Sequence, residues 1–135
     1  MGAYRFSKSS EYQLSTIHPD LQRVIRRALG WGIVDFKVVI GHRGQAAQDE
    51  AFRTGASQKR WPDGNHNSYP SKAVDLAVLV NGEIQWKPRA AWDFLAGVML
   101  AAAAVEGVRI RSGRDWDSDN DVTDQTFNDL GHFEL

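Results

Sequence analysis

The chain of 135 residues contains no cysteine, only two methionines and only four prolines. Without a thiol there can be no disulfide, no thiolate zinc site and no cysteine nucleophile, so any metal has to be held by His, Asp or Glu. A long apolar run is also missing. The longest, Phe94 to Val105, has 12 residues, short of the roughly 20 needed to span a bilayer. Lipidation is not expected either, because Phe6 stands where N-myristoylation requires a hydroxyl. The opening stretch MGAYRFSKSSEYQL lacks the apolar core of a secretory signal, so a soluble cytoplasmic product is expected.

A strong overall charge is absent too, since the formal net charge is −1. That neutrality conceals two opposed parts. Residues 1–114 carry all sixteen Lys and Arg against ten acids, whereas residues 115–135 carry seven acids and no Lys or Arg. A simple nucleic-acid binder would show its basic excess in the total, so the division points instead to cation chemistry near the C-terminus. What is present is an ordinary globular composition, 42% hydrophobic and 24% charged with five Trp and six Phe. Collagen-like, coiled-coil and disordered classes are excluded, and the length predicts a single domain over 1–135 that works as a monomer.

Hydrophobic spacing predicts a helix from Ser9 to about Ile17 and a second after His18-Pro19, with Leu21, Val24, Ile25, Ala28 and Leu29 on one stripe and Gly30 as its stop. Phe36 to Ile40 reads as a strand, and Gln45 to about Arg53 as a helix stopped near Gly55. The Gly-, Ser-, Asn- and Pro-rich stretch 55–72 is long for a small domain, which favours a functional loop. Ala73 to Val80 reads as a buried strand interrupted only by Asp75, followed by an Asn81-Gly82 hairpin. A helix opening at Pro88 and capped by Gly107, a short strand at Val108 to Arg111 and a final strand at His132 to Leu135 complete an α+β pattern. Helices flanking a small, mainly antiparallel sheet are expected.

His66, Asp75 and His132 make two imidazoles and one carboxylate, the ligand set of a catalytic zinc site that leaves one position for water. Asp129, three residues before His132, could accept a proton from that water. Each residue also has a plainer reading: His66 as a cap or surface group, His132 as an ordinary residue near the terminus, Asp75 as half of a buried ion pair, and Asp129 as a turn former. His18 reads as a cap and His42 as structural, while Trp61, Tyr69 and Trp116 could line a groove or simply pack. The run Asp115, Asp117, Asp119 and Asp121 alternates like the first half of an EF-hand loop and could bind Ca²⁺. Asn120 in place of Gly and Thr126 in place of Glu leave a solvated acidic loop as the other reading.

Taken together, Gly41-His42-Arg43 with Gln48, Phe52 and Gly55, His66-Asn67-x-x-Pro70-Ser71-x-Ala73-Val74-Asp75, Gly113-Arg114-Asp115-Trp116-Asp117 and Asp129-x-x-His132-Phe133-Glu134-Leu135 resemble the VanY-type D-Ala-D-Ala metallopeptidases. The resemblance is nearest to their phage endolysin branch, the L-alanyl-D-glutamate endopeptidases, and runs from Phe6 onward. It implies the hedgehog/DD-peptidase fold, one zinc ion on His66, Asp75 and His132, Asp129 as catalytic acid and base, and Arg43 at the active site. Arg43 would stabilise an oxyanion or grip a substrate carboxylate. Two departures stand out: the commoner H-x-x-G-x-A-x-D spacing is lengthened between His66 and Asp75, and Gly64 replaces a serine usual two positions before the histidine. The implied substrate is the peptidoglycan stem peptide, met after the enzyme has waited in the host cytoplasm for lysis. A D-Ala-D-Ala carboxypeptidase on the same site, or a non-catalytic zinc-stabilised binding domain, are the rivals.

Overall fold

The computed structural model describes residues 4–113 and 131–135. Its first helix, α1 (Lys8–Leu14), starts where the Ser7 side chain accepts from Ser10 N, and it ends earlier than the apolar spacing suggests. The residues after Leu14 turn away to support the next strand: Thr16 Oγ1 receives the His42 amide at 2.9 Å. Helix α2 (Pro19–Gly30) is capped by His18, whose Nδ1 accepts from Asp20 N at 3.1 Å, with Pro19 in the first turn where no amide is needed. Its predicted apolar stripe is buried. The helix ends at Gly30 as expected, Trp31 N closing the last turn on Arg27 O, and the left-handed residue beyond the end is Gly32 at φ 69. Helix α3 (Gln45–Thr54) ends at Gly55, left-handed at φ 82.

Strand β1 (Phe36–Ile40) pairs antiparallel with β2 (Ala73–Val80), which turns through Asn81-Gly82 into the short β3 (Glu83–Ile84). Helix α4 (Ala90–Glu106) lays Trp92, Leu95, Met99 and Ala102 into the core against α2 and the sheet, and Gly107 ends it in the left-handed region. Of the predicted strand at Val108 to Arg111, only Arg111 enters β4 (Arg111–Ser112). The last strand, β5 (His132–Glu134), lies between β2 and β4, giving the order β1-β2-β5-β4 with every pair antiparallel. The expected α+β architecture, helices packed on a small antiparallel sheet, is the one observed.

Two features of the sheet fix the surroundings of Asp75. A bulge between Val38 and Ile40 brings Ile40 opposite Asp75, and bulges of this kind re-aim neighbouring side chains. Strand β5 puts His132 directly opposite Asp75 and Phe133 opposite Val74. Alternation along the strand then sends Phe133, 1% exposed, into the core and turns His132 and Glu134 to the other face.

Candidate metal centre

His66 lies in a single 3₁₀ turn (Asn65–Asn67) of the long loop before β2, Asp75 is the third residue of β2, and His132 opens β5. The fold brings these three together from positions far apart in the chain, with one donor atom from each lying within 4.8 Å of the others. His66 Nε2 is 3.4 Å from Asp75 Oδ1, and His132 Nδ1 is 3.0 Å from the same oxygen. Ligands about 2.0–2.1 Å from a tetrahedral ion stand about 3.3 Å apart, so these separations suit a zinc-sized cation.

Two observations test whether the residues fit such an ion. His66 Nδ1–H donates to Gly41 O at 2.7 Å, which leaves the Nε2 lone pair facing inward. That Nε2 is buried and has no hydrogen-bond partner among the described residues, the 3.4 Å approach to Asp75 being an ion-pair distance and not a hydrogen bond. A buried nitrogen without a partner is costly in a folded protein, and a metal ion satisfies it. His132, in turn, places both ring nitrogens against carboxylates: Nδ1 against Asp75 and Nε2 against Glu134 Oε1 at 2.8 Å. A ring nitrogen and a carboxylate oxygen at 3.0 Å need a positive charge between them, either a proton or a metal ion. The residues fit the group.

Gly41 explains part of this placement. A Cβ there would lie 2.3 Å from Thr16 Oγ1 and 2.5 Å from Gln13 O, so only glycine lets β1 approach the segment after α1 and present its carbonyl to His66. Gly131, at φ 77, is needed as well, since a Cβ would sit 1.9 Å from Leu76 O. Its own carbonyl accepts from Leu76 N at 2.8 Å and fixes the start of β5.

Arg43 is brought to the same site. Its side chain is 10% exposed, with Nη2 3.4 Å from Asp75 Oδ2 and Nη1 donating to Gln48 Oε1 at 3.2 Å. Gln48, on α3 and 1% exposed, is a hub. Its Oε1 also accepts from Asn67 Nδ2, and its Nε2 donates to Ser57 Oγ and to Lys59 O. Asn67 Nδ2 donates to Arg43 O, and Asn67 Oδ1 accepts from Gly64 N at 2.9 Å. A Cβ at Gly64 would stand 2.9 Å from that Oδ1, so Asn67 fills the space that the missing serine side chain would need.

Burial pushes the Asp75 carboxyl up, but the His132 hydrogen bond and the imidazoles of His66 and His132 beside it outweigh that and hold the group well below the usual carboxylate range. Glu134 follows the same logic: burial raises it, while His132 and Arg111 bring it down to about 2. Both are therefore anions at neutral pH, as a cation site requires. The centre opens into a cleft of about 310 Å³ lined by Arg43, Gln48, Lys59, His66, Arg111 and His132 among others.

The remaining candidates fall elsewhere. His18 is a helix cap, and His42 braces the loop by pairing Nδ1 with Ser68 O and packing edge-on against Tyr69. Neither Trp61 nor Tyr69 lines the cleft. Asp129, Trp116 and the proposed calcium residues Asp115, Asp117, Asp119 and Asp121 lie outside the described residues. Three residues of the centre carry no role in the sequence reading: Glu134, Gln48 and Asn67. For Glu134 a signal existed, its place two residues after His132 on a strand, hence on the same face.

Comparison with known proteins places the chain among peptidases. The family described as phage L-alanyl-D-glutamate peptidase matches residues 1–135. The L-alanyl-D-glutamate peptidase of Escherichia phage T5 is 34% identical over 137 aligned positions, covering 98% of this chain and 98% of the phage protein. The crystal structure of the Serratia marcescens L-Ala D-Glu endopeptidase ChiX superposes with a TM-score of 0.79 at 30% identity, over 99% of this chain and 90% of that one.

Proposed function

The chain belongs to the phage L-alanyl-D-glutamate peptidase family, and on that premise we propose that it is a zinc-dependent endolysin hydrolysing the bond between L-Ala and D-Glu in the peptidoglycan stem peptide. The observation that carries the metal part is the inward-facing His66 Nε2, buried and without a hydrogen-bond partner among the described residues, beside Asp75 and His132. His66, Asp75 and His132 would hold the ion. When bound, zinc polarises the scissile carbonyl and lowers the pKa of water to about 7. Asp129 accepts the proton of the attacking water and returns it to the leaving amine. Arg43, held against Asp75 and Gln48, has its guanidinium fixed beside the reacting centre, which favours stabilising the developing oxyanion over gripping a distant carboxylate. The cleft takes the stem peptide.

All the proposed metal ligands come from one chain, so a monomer suffices. As a lysis enzyme it would be kept in the host cytoplasm until the membrane is breached, then act on the wall. Among the described residues no helix is long and apolar enough to cross a membrane.

Digestion of purified peptidoglycan with and without a chelator, with new termini identified by mass spectrometry, tests this reading. New amino-terminal D-Glu that disappears on chelation is expected. Release of free D-Ala alone would instead make the protein a carboxypeptidase, and the absence of any chelator-sensitive product would leave only a metal-stabilised binding domain.

A further inference from the structure

We propose that Glu134 is a positioning residue for the metal centre: it accepts the Nε2 proton of His132 and so commits Nδ1 to the ion, while Arg111 holds Glu134 in that pose. The inference rests on the proposed zinc site. Its origin is the register of three strands. His132 and Glu134 are two apart on β5 and share a face, Asp75 lies opposite His132 on β2, and Arg111 lies opposite Glu134 on β4. A row of four charged or polar side chains results, Arg111, Glu134, His132, Asp75, leading from the cleft rim to the proposed ion site.

Glu134 is 6% exposed, and its two oxygens are divided between partners. Oε1 is 2.8 Å from His132 Nε2, and Oε2 accepts from Arg111 Nη2. A carboxylate paired with a guanidinium offers only lone pairs, so the ring nitrogen that faces it must donate. A neutral imidazole has one proton and one ring lone pair. With the proton on Nε2, the lone pair is at Nδ1, the atom 3.0 Å from Asp75 Oδ1. His66 is set the opposite way, its Nδ1–H donating to Gly41 O and its Nε2 left with the lone pair. The two histidines thus present different nitrogens, one selected by a backbone carbonyl and the other by a buried carboxylate. A carboxylate partner also makes the ring a stronger ligand than a carbonyl does. Glu134 is tethered for this role, because its backbone pairs with both β2 and β4, and Leu135 N bonds Lys72 O.

The test measures zinc affinity by competition with a chromophoric chelator for the wild-type protein, Glu134→Gln, Glu134→Ala and Arg111→Gln, alongside the melting of each metal-free chain. Glu134→Gln and Glu134→Ala should bind zinc about 10- to 100-fold more weakly while remaining folded. Arg111→Gln should lose less, in the same direction. In the zinc-loaded wild-type protein, nitrogen NMR of the imidazoles should find the His132 proton on Nε2. Folded Glu134 variants with wild-type zinc affinity would overturn the proposal. So would a His132 proton on Nδ1, a result that decides the matter even if no variant folds. A wild-type chain that binds no zinc would overturn the zinc reading itself, an outcome distinct from both.

Discussion

At the scale of single residues, the proposed division of labour is between groups that hold the ion and groups that move protons. Asp129→Asn is expected to retain zinc while kcat falls about 10²- to 10⁴-fold, whereas His66→Ala removes a ligand and should lose the metal. Equal loss of zinc in the two variants, measured by metal analysis after desalting, would refute that division. The carboxylates also govern acid stability of the metal-free protein. Glu134 titrates at about 2 when folded, below its ordinary value of 4.5, so its contribution is present above the ordinary value and is lost as pH falls through that window. Asp75 is shifted in the same direction. In chelator, the Tm should drop on acidification from about pH 4.5 towards 2, and Glu134→Gln should flatten the drop; identical slopes would remove Glu134 from the account. The three residues that the fold brings together were legible in the sequence because a chain without cysteine has few residues able to bind a metal, and His66, Asp75 and His132 sat in recognisable surroundings. Their supporting groups were not. Gln48 and Asn67 act through partners that become neighbours only when α3, the loop at Asn65–Asn67 and β1 meet.

At the scale of elements, punctuation decided what could be read in advance. Strands β1 and β2 match their apolar runs, and α3 stops at Gly55, where left-handed backbone is free of steric cost for glycine. Helix α2 ends at Gly30, but Gly30 is its last helical residue, tolerated at a cost of about 1 kcal/mol, and the left-handed backbone falls on Gly32. The bulge in β1 and the meeting of β2 with β5 depend on long-range pairing that no local pattern encodes. These elements differ in how much they matter to the site. Gly131→Ala forces a Cβ into Leu76 O and should cost about 1–3 kcal/mol, displacing His132 and weakening zinc binding. Gly55→Ala imposes a similar left-handed strain in open space, so it should cost about 1 kcal/mol and leave zinc affinity alone. If both variants bound zinc as the wild type does, β5 would not be what positions the ligand.

At the scale of the molecule, the near-neutral charge resolves into a basic body and an acidic C-terminal segment that contributes His132, Glu134 and, by sequence, Asp129. The sheet brings that segment back beside Asp75, so the residues of the proposed cation site come from both parts. The excess of six positive charges over residues 1–114 suits an enzyme whose substrate wall is anionic. The central claim is that one metal ion, held by His66, Asp75 and His132, makes this domain an endopeptidase. Its most direct test is to titrate Zn²⁺ into the metal-free protein while following the release of amino-terminal D-Glu from purified peptidoglycan. Activity should rise from near zero and break at about one equivalent per chain. Full activity before any metal is added, or a product consisting only of free D-Ala, would contradict the account.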